Sequence, residues 1–178
     1  MALQATPYKV SLDISDVDRG VYESVKVTVA RHPSETPLRL VARILAFGLF
    51  YHEHLAFGRG LSDSDEAALW QISLSGEIEH WIDVGQPDHE RIVKASRRAP
   101  QLSVLVYGNT RVWADKTVPK VNHLKNVSIL AIPEAEHAML ANTINRNMHW
   151  GLMISDGVLF VSDGEIQTEV PLHRLLGE

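Results

Sequence analysis

Hydrophobic and polar residues change their period several times along the chain, and each change predicts an element. Residues 4–15 and 21–31 alternate with period two, most clearly in VYESVKVTV, and predict a starting hairpin turned at the polar Asp-Val-Asp-Arg-Gly segment. RHPSETPLRLVARILAFGLFYHEHL then switches to helical spacing. Leu38, Val41, Ile44, Leu45 and Leu49 form an apolar stripe, Ser34 is the expected N-cap, and Pro37 sits in the first turn. FGRGLSDSDE reads as a loop. ALWQIS and EIEHWIDV read as two strands of a hairpin turned at Leu74-Ser75-Gly76. PDHERIVKASRRA predicts a helix with Asp88 as N-cap and Pro100 just past its end. QLSVLVYG and NVSILAI are strongly apolar, the signature of strands buried on both faces.

Residues 110–122 carry no decisive pattern, EAEHAMLANTI predicts a helix, and the tail from Trp150 to Leu172 predicts a β-meander. Ser155-Asp156-Gly157 and Ser162-Asp163-Gly164 mark two of its turns, since Asp-Gly supplies the positive φ of tight hairpins. Hairpins lie early and late, with a strand–helix–strand unit between them. The fold class is α/β, or α+β with a mixed sheet.

A chain of 178 residues, 45% hydrophobic and 22% charged, is long enough for one domain, spanning 1–178, with a good-sized core. The absence of cysteine excludes disulfides and thiolate metal sites. No signal-peptide pattern opens the sequence, and no apolar run approaches the ~20 residues that span a bilayer, so a cytoplasmic protein without membrane association is expected. A net charge of −5 counts against non-specific coating of duplexes, but is compatible with a local basic groove.

The strand reading of Glu77–Val84 puts Glu77, Glu79, Trp81 and Asp83 on one face. Glu79 and Asp83 are ~13 Å apart along such a strand, too far to share one ion. A metal at Asp83 must therefore take its second ligand from elsewhere. The start of the preceding strand offers Asp65 and Glu66. A two-residue turn would bring Glu66 to the Asp83 face and a three-residue turn would bring Asp65, and the sequence leaves both open. Such a pair suits Mg²⁺ or Mn²⁺, which take oxygen ligands. Glu35, at the start of the first helix, is a candidate further ligand or general base. The plainer reading of these acids is a solvated edge.

ARHPSET, FGRGLSDSDE and the run from Ile78 through IDVGQPDHERIVKA occur in order, between MALQATPYK at the start and ISDGVLFVSD near the end. Together they resemble the YaeQ family of bacterial proteins over essentially the whole chain. The resemblance implies a PD-(D/E)XK restriction-endonuclease-like core flanked by helices, with an N-terminal hairpin and a C-terminal β-meander. It does not by itself imply an activity. In nucleases of that fold, two strand acids bind Mg²⁺ and a lysine two residues after the second acid assists. Here the acids would be Asp65 or Glu66, and Asp83, while the lysine position is Gly85.

Lys94, in the next helix, stands where some branches of the fold carry the migrated lysine. Arg91, Lys94 and Arg98 recur at i, i+3 and i+7 and share a helical face, so Lys94 would serve the metal site while Arg91 and Arg98 hold phosphates. Gln86 would line the site or simply occupy the turn before Pro87. Two functions follow: a Mg²⁺-dependent nuclease or phosphodiesterase acting on nucleic acid, or a module that binds nucleic acid or protein without turnover. Tyr51-His52-Glu53-His54 lacks the i, i+4 histidine spacing of a zinc site, and no phosphate-binding glycine loop or nucleophile elbow is present. Trp70 and Trp81 would pair across the hairpin as core or as a base-stacking wall, and core is expected.

Overall fold

The structure, a computed structural model, describes residues 4–59 and 65–177. Residues 60–64 of the FGRGLSDSDE segment and the first three residues of the MALQATPYK segment lie outside the described residues. The opening alternation forms β1 (Thr6–Asp16) and β2 (Val21–Arg31), an antiparallel hairpin. Then come α1 (Pro37–Leu49), β3 (Leu55–Phe57), β4 (Leu69–Ile72), β5 (Ile78–Val84), α2 (His89–Ser96) and β6 (Gln101–Val106). The second half holds α3 (Arg111–Val121), β7 (Val127–Ala131), α4 (Glu134–Ala141), β8 (Asn147–Ser155), β9 (Val158–Ser162), β10 (Gln167–Pro171) and β11 (His173–Leu176).

The strands make two mixed sheets. The first has the order β10-β9-β8-β1-β2 and the second β11-β7-β6-β5-β4-β3. In the second, β5, β6 and β7 run parallel, joined through α2 and α3, which is why β6 and β7 are so strongly apolar. In the first, β1 pairs in parallel with β8, far away in sequence.

Helix α1 lies between the sheets. Every residue from Leu40 to Leu49 is buried, so the expected one-sided stripe is corrected to a helix covered all round. One core joins α1 to Leu12 and Leu152 of the first sheet and to Ile82 and Leu105 of the second. A second core lies on the opposite face of the second sheet, where Trp81 and Val104 meet Ile92 of α2. The N-cap of α1 is Thr36, whose side chain accepts a hydrogen bond from the Arg39 amide, and not Ser34. Ser34 is diverted: its hydroxyl bonds His32 Nδ1 at 2.7 Å.

The segment 110–122 is largely helix, with Pro119 inside α3, and β3 and β11 are short strands with no periodic signal of their own. The Asp156-Gly157 turn is as expected, with φ of 51° and 74° at its two residues. The second Ser-Asp-Gly closes a longer loop, since Ser162 pairs with Gln167. Among the described residues no helix is long and apolar enough to cross a membrane.

Candidate functional site

Asp83 is near the C-terminal end of β5, on the face that packs against α2. It is buried, at 4% exposure, so its charge needs a partner. Arg91 supplies one from the first turns of α2. Its Nε donates to Asp83 Oδ2 at 2.8 Å and its Nη2 to Oδ1 at 3.1 Å, a two-point pairing of fork on carboxylate. Nη2 also donates to the Glu66 carbonyl at 3.0 Å, so one guanidinium ties β5, α2 and the segment before β4 together. Burial works against the charge of Arg91. The Asp83 hydrogen bond and charge, with Asp88 and Asp65 behind them, outweigh it and raise the pKa above its ordinary value. Asp88 starts α2 as expected, its carboxylate accepting the Arg91 amide at 2.8 Å.

The shared helical face inferred from Arg91, Lys94 and Arg98 is present. Lys94 Nζ lies 3.4 Å from Asp65 Oδ1, and Arg98 Nη1 donates to the Asp65 carbonyl at 2.6 Å. Arg98 and Arg91 both lie over the Trp81 ring, at 4.8 and 5.8 Å from its centre. Trp81 packs edge-on against Trp70, and its buried Nε1 has no hydrogen-bond partner among the described residues. Asp65, Trp81, Arg91, Lys94 and Arg98 thus line one shallow crevice.

The pairing of Leu69 with Ile82 and of Trp70 with Trp81 is the register that would carry Glu66 rather than Asp65 onto the Asp83 face. The strand stops short of it, because β4 begins at Leu69. The Glu66 carboxylate turns to the Arg59 amide, 2.8 Å away. Among the described residues no group of three or more histidines and carboxylates converges on a common point.

Glu35 has a different setting. It sits just before α1, is 3% exposed, and directs every hydrogen bond of its carboxylate to Arg39 and Arg43. Arg43 donates to it from Nε at 2.9 Å and from Nη2 at 2.6 Å, and Nη2 also reaches the Ala30 carbonyl. Glu35 therefore closes a buried ion cluster between β2 and α1. Gln86 takes the turn role: its side-chain amide donates to the carbonyls of Tyr107 and Asn109, joining the loops after β5 and β6. Gly85, two residues after Asp83, has a φ of 99°, which a lysine would adopt only with strain.

A polar row on the other face of the same sheet was not visible in the sequence. His80 Nε2 lies 2.8 Å from Ser103 Oγ, which lies 3.2 Å from Ser128 Oγ. Ser103 and Ser128 are the polar residues inside the apolar runs LSVLV and VSILA, His80 alternates with Ile78 and Ile82, and that was the available signal. Only the parallel register brings the three together.

The family model described as YaeQ protein matches residues 1–172. The uncharacterised protein YaeQ of Escherichia coli K12 is 34% identical over 174 residues, covering 97% of this chain and 96% of that protein. The Salmonella typhi protein of the same name matches to the same extent. The crystal structure of YaeQ protein from Pseudomonas syringae superposes with a TM-score of 0.94 at 52% identity, covering 98% of this chain and 97% of that one. That of the Xanthomonas axonopodis pv. citri protein superposes with a TM-score of 0.94 at 35% identity, covering 98% and 99%.

Proposed function

The chain belongs to the YaeQ family, and from that premise we propose that it is a nucleic-acid-binding module whose α2 face holds the phosphodiester backbone. The carrying observation is the convergence of Arg91, Lys94 and Arg98 on one crevice beside the start of β4. Lys94 is exposed, and its partner Asp65 is equally exposed, so a phosphate can displace that pair at little cost. Arg98, also exposed, would add a second cation to the same backbone. The order α1-β3-β4-β5-α2-β6, with β5 parallel to β6, supports a PD-(D/E)XK-like core as its framework.

Turnover is disfavoured by Asp83. Both of its oxygens are engaged by Arg91, so a Mg²⁺ ion would have to displace a buried, two-point ion pair. A Mg²⁺-dependent phosphodiesterase is the second reading. It is favoured by the contact of Lys94 with Asp65, which brings the candidate lysine to one of the two candidate first acids.

Labelled single- and double-stranded oligonucleotides, titrated by fluorescence anisotropy at two salt concentrations with and without Mg²⁺ or Mn²⁺, separate these readings. Salt-dependent binding is expected, weakened about tenfold by Lys94→Glu with Arg98→Glu and indifferent to Asp83→Asn, with no cleavage. Metal-dependent cleavage abolished by Asp83→Asn would replace this reading with the second. No binding of either strand form, with no cleavage, would overturn both.

A further inference from the structure

We propose that the cleft between the two sheets, at the N-terminal ends of β5, β6 and β7, binds a small organic anion, a carboxylate or a phosphate monoester. Arg174 stands at its mouth and the His80–Ser103–Ser128 row on its floor. The cleft opens on the face of the second sheet opposite Asp83, so it is separate from the α2 crevice. Its volume is about 610 Å³, within the ~300–1,000 Å³ typical of small-molecule sites. Leu49, Phe50 and Leu172 supply apolar wall, which suits a ligand with an organic body rather than a bare ion.

The floor is built to meet a polar group. Ser103 is 1% exposed and His80 7%, and buried polar side chains are costly unless hydrogen-bonded. They satisfy each other only in part: His80 Nδ1 has no hydrogen-bond partner among the described residues. Burial, and then the charge of Arg19, push the His80 pKa down to about 4, so the ring is neutral at pH 7. A neutral ring with two hydroxyls forms a chain that runs either way. When Nδ1 accepts, Ser128 has a proton to donate, and when Ser128 accepts, Nδ1 donates.

The partners of the charged side chains around the cleft point to the sign of the ligand. The Asp16 carboxylate accepts the amide and Nε of Arg19, and Arg19 Nη1 also reaches the Tyr51 carbonyl. The Asp18 oxygens accept the amides of Asp156 and Gly157. Asp16 and Asp18 thus have donors within the protein, whereas Arg174 makes no hydrogen bond or ion pair among the described residues, so the charged side chain left without a partner is a cation. An anionic group on Arg174, with the organic body reaching the floor, satisfies both.

The test uses the full chain, ¹⁵N-labelled, titrated with phenyl phosphate, phenylacetate and the neutral 2-phenylethanol, and observed by NMR. Saturable shifts are expected at the amides of Ser103, Ser128 and Arg174 with at least one of the anions. Arg174→Glu, a change at an exposed and unpaired side chain, should weaken that anion about tenfold or more. Response to phenyl phosphate alone assigns a phosphate ester, response to phenylacetate alone a carboxylate, and response to both a site for either anion. Absence of these shifts with both anions, shifts that persist unchanged in Arg174→Glu, or equal binding of 2-phenylethanol would each overturn the proposal.

Discussion

Replacing Glu35 by alanine tests whether this acid belongs to the fold or to a reaction. In the native protein the Glu35 and Arg43 side chains are 1% and 2% exposed, and Arg39 is 17% exposed. Removing the carboxylate strands the Arg43 guanidinium in the core with only the Ala30 carbonyl as acceptor, over the Phe57 ring. Breaking a buried pair in this way costs about 3–5 kcal/mol, because the remaining charge is desolvated and unmatched. That is a large part of the ~5–15 kcal/mol by which domains are stable. With a urea dependence of about 2 kcal/mol/M, the unfolding midpoint should fall by roughly 1.5–2.5 M.

Adding Arg43→Met removes the stranded charge and leaves an apolar chain of similar length, so the double variant should recover most of the loss. The measurement is a double-mutant cycle by urea denaturation followed by circular dichroism. A loss below about 1 kcal/mol for Glu35→Ala, or a double variant no more stable than the single, would refute the structural role. A Glu35 that served a metal instead would lose activity with its stability intact.

The His80 pKa is lowered from 6.5 to about 4 in the fold, so neutral His80 stabilises the native state above pH 6.5. That contribution is lost as pH falls from 6.5 toward 4, where the unfolded chain takes up the proton first, and amounts to at most about 3 kcal/mol. The drop in urea midpoint between pH 7 and pH 4.5 should shrink in His80→Gln, and an equal drop in both proteins would contradict this. Arg91→Met leaves Asp83 buried without its two-point partner and should cost about 3 kcal/mol by denaturation, whereas the double change Arg91→Met with Asp83→Leu should cost less. Asp88→Ala removes the N-cap of α2 and should cost about 1 kcal/mol; thermal unfolding that shows no change would mean that the cap is idle.

Much of the local structure was legible because it depends on neighbours in sequence. Alternation in VYESVKVTV, the Asp88 cap, the Asp156-Gly157 turn and the i, i+3, i+7 basic face of α2 each rest on spacing within a few residues, and each is found in the fold. The three motifs in order were specific enough to reach the family. Elements without periodicity were not legible: β3 and β11 are strands only because a neighbouring strand offers them hydrogen bonds. Residues 110–122 carried no decisive pattern, and packing nevertheless forms a helix there with Pro119 inside it.

Sequence by itself therefore determined the order of the periodic elements, the family and which cations share a helix face. Tertiary structure decided what each charge does. It showed that Glu35 is consumed by Arg39 and Arg43, and that Asp83 is held by Arg91 while the Glu66 carboxylate turns away to Arg59. It also aligned His80, Ser103 and Ser128 into one row, and buried α1 all round by pairing β1 with the distant β8. The physical reason is range. Periodicity and capping are set within one or two turns of chain, whereas the partner of a buried charge is set by which segments the fold brings within hydrogen-bond distance.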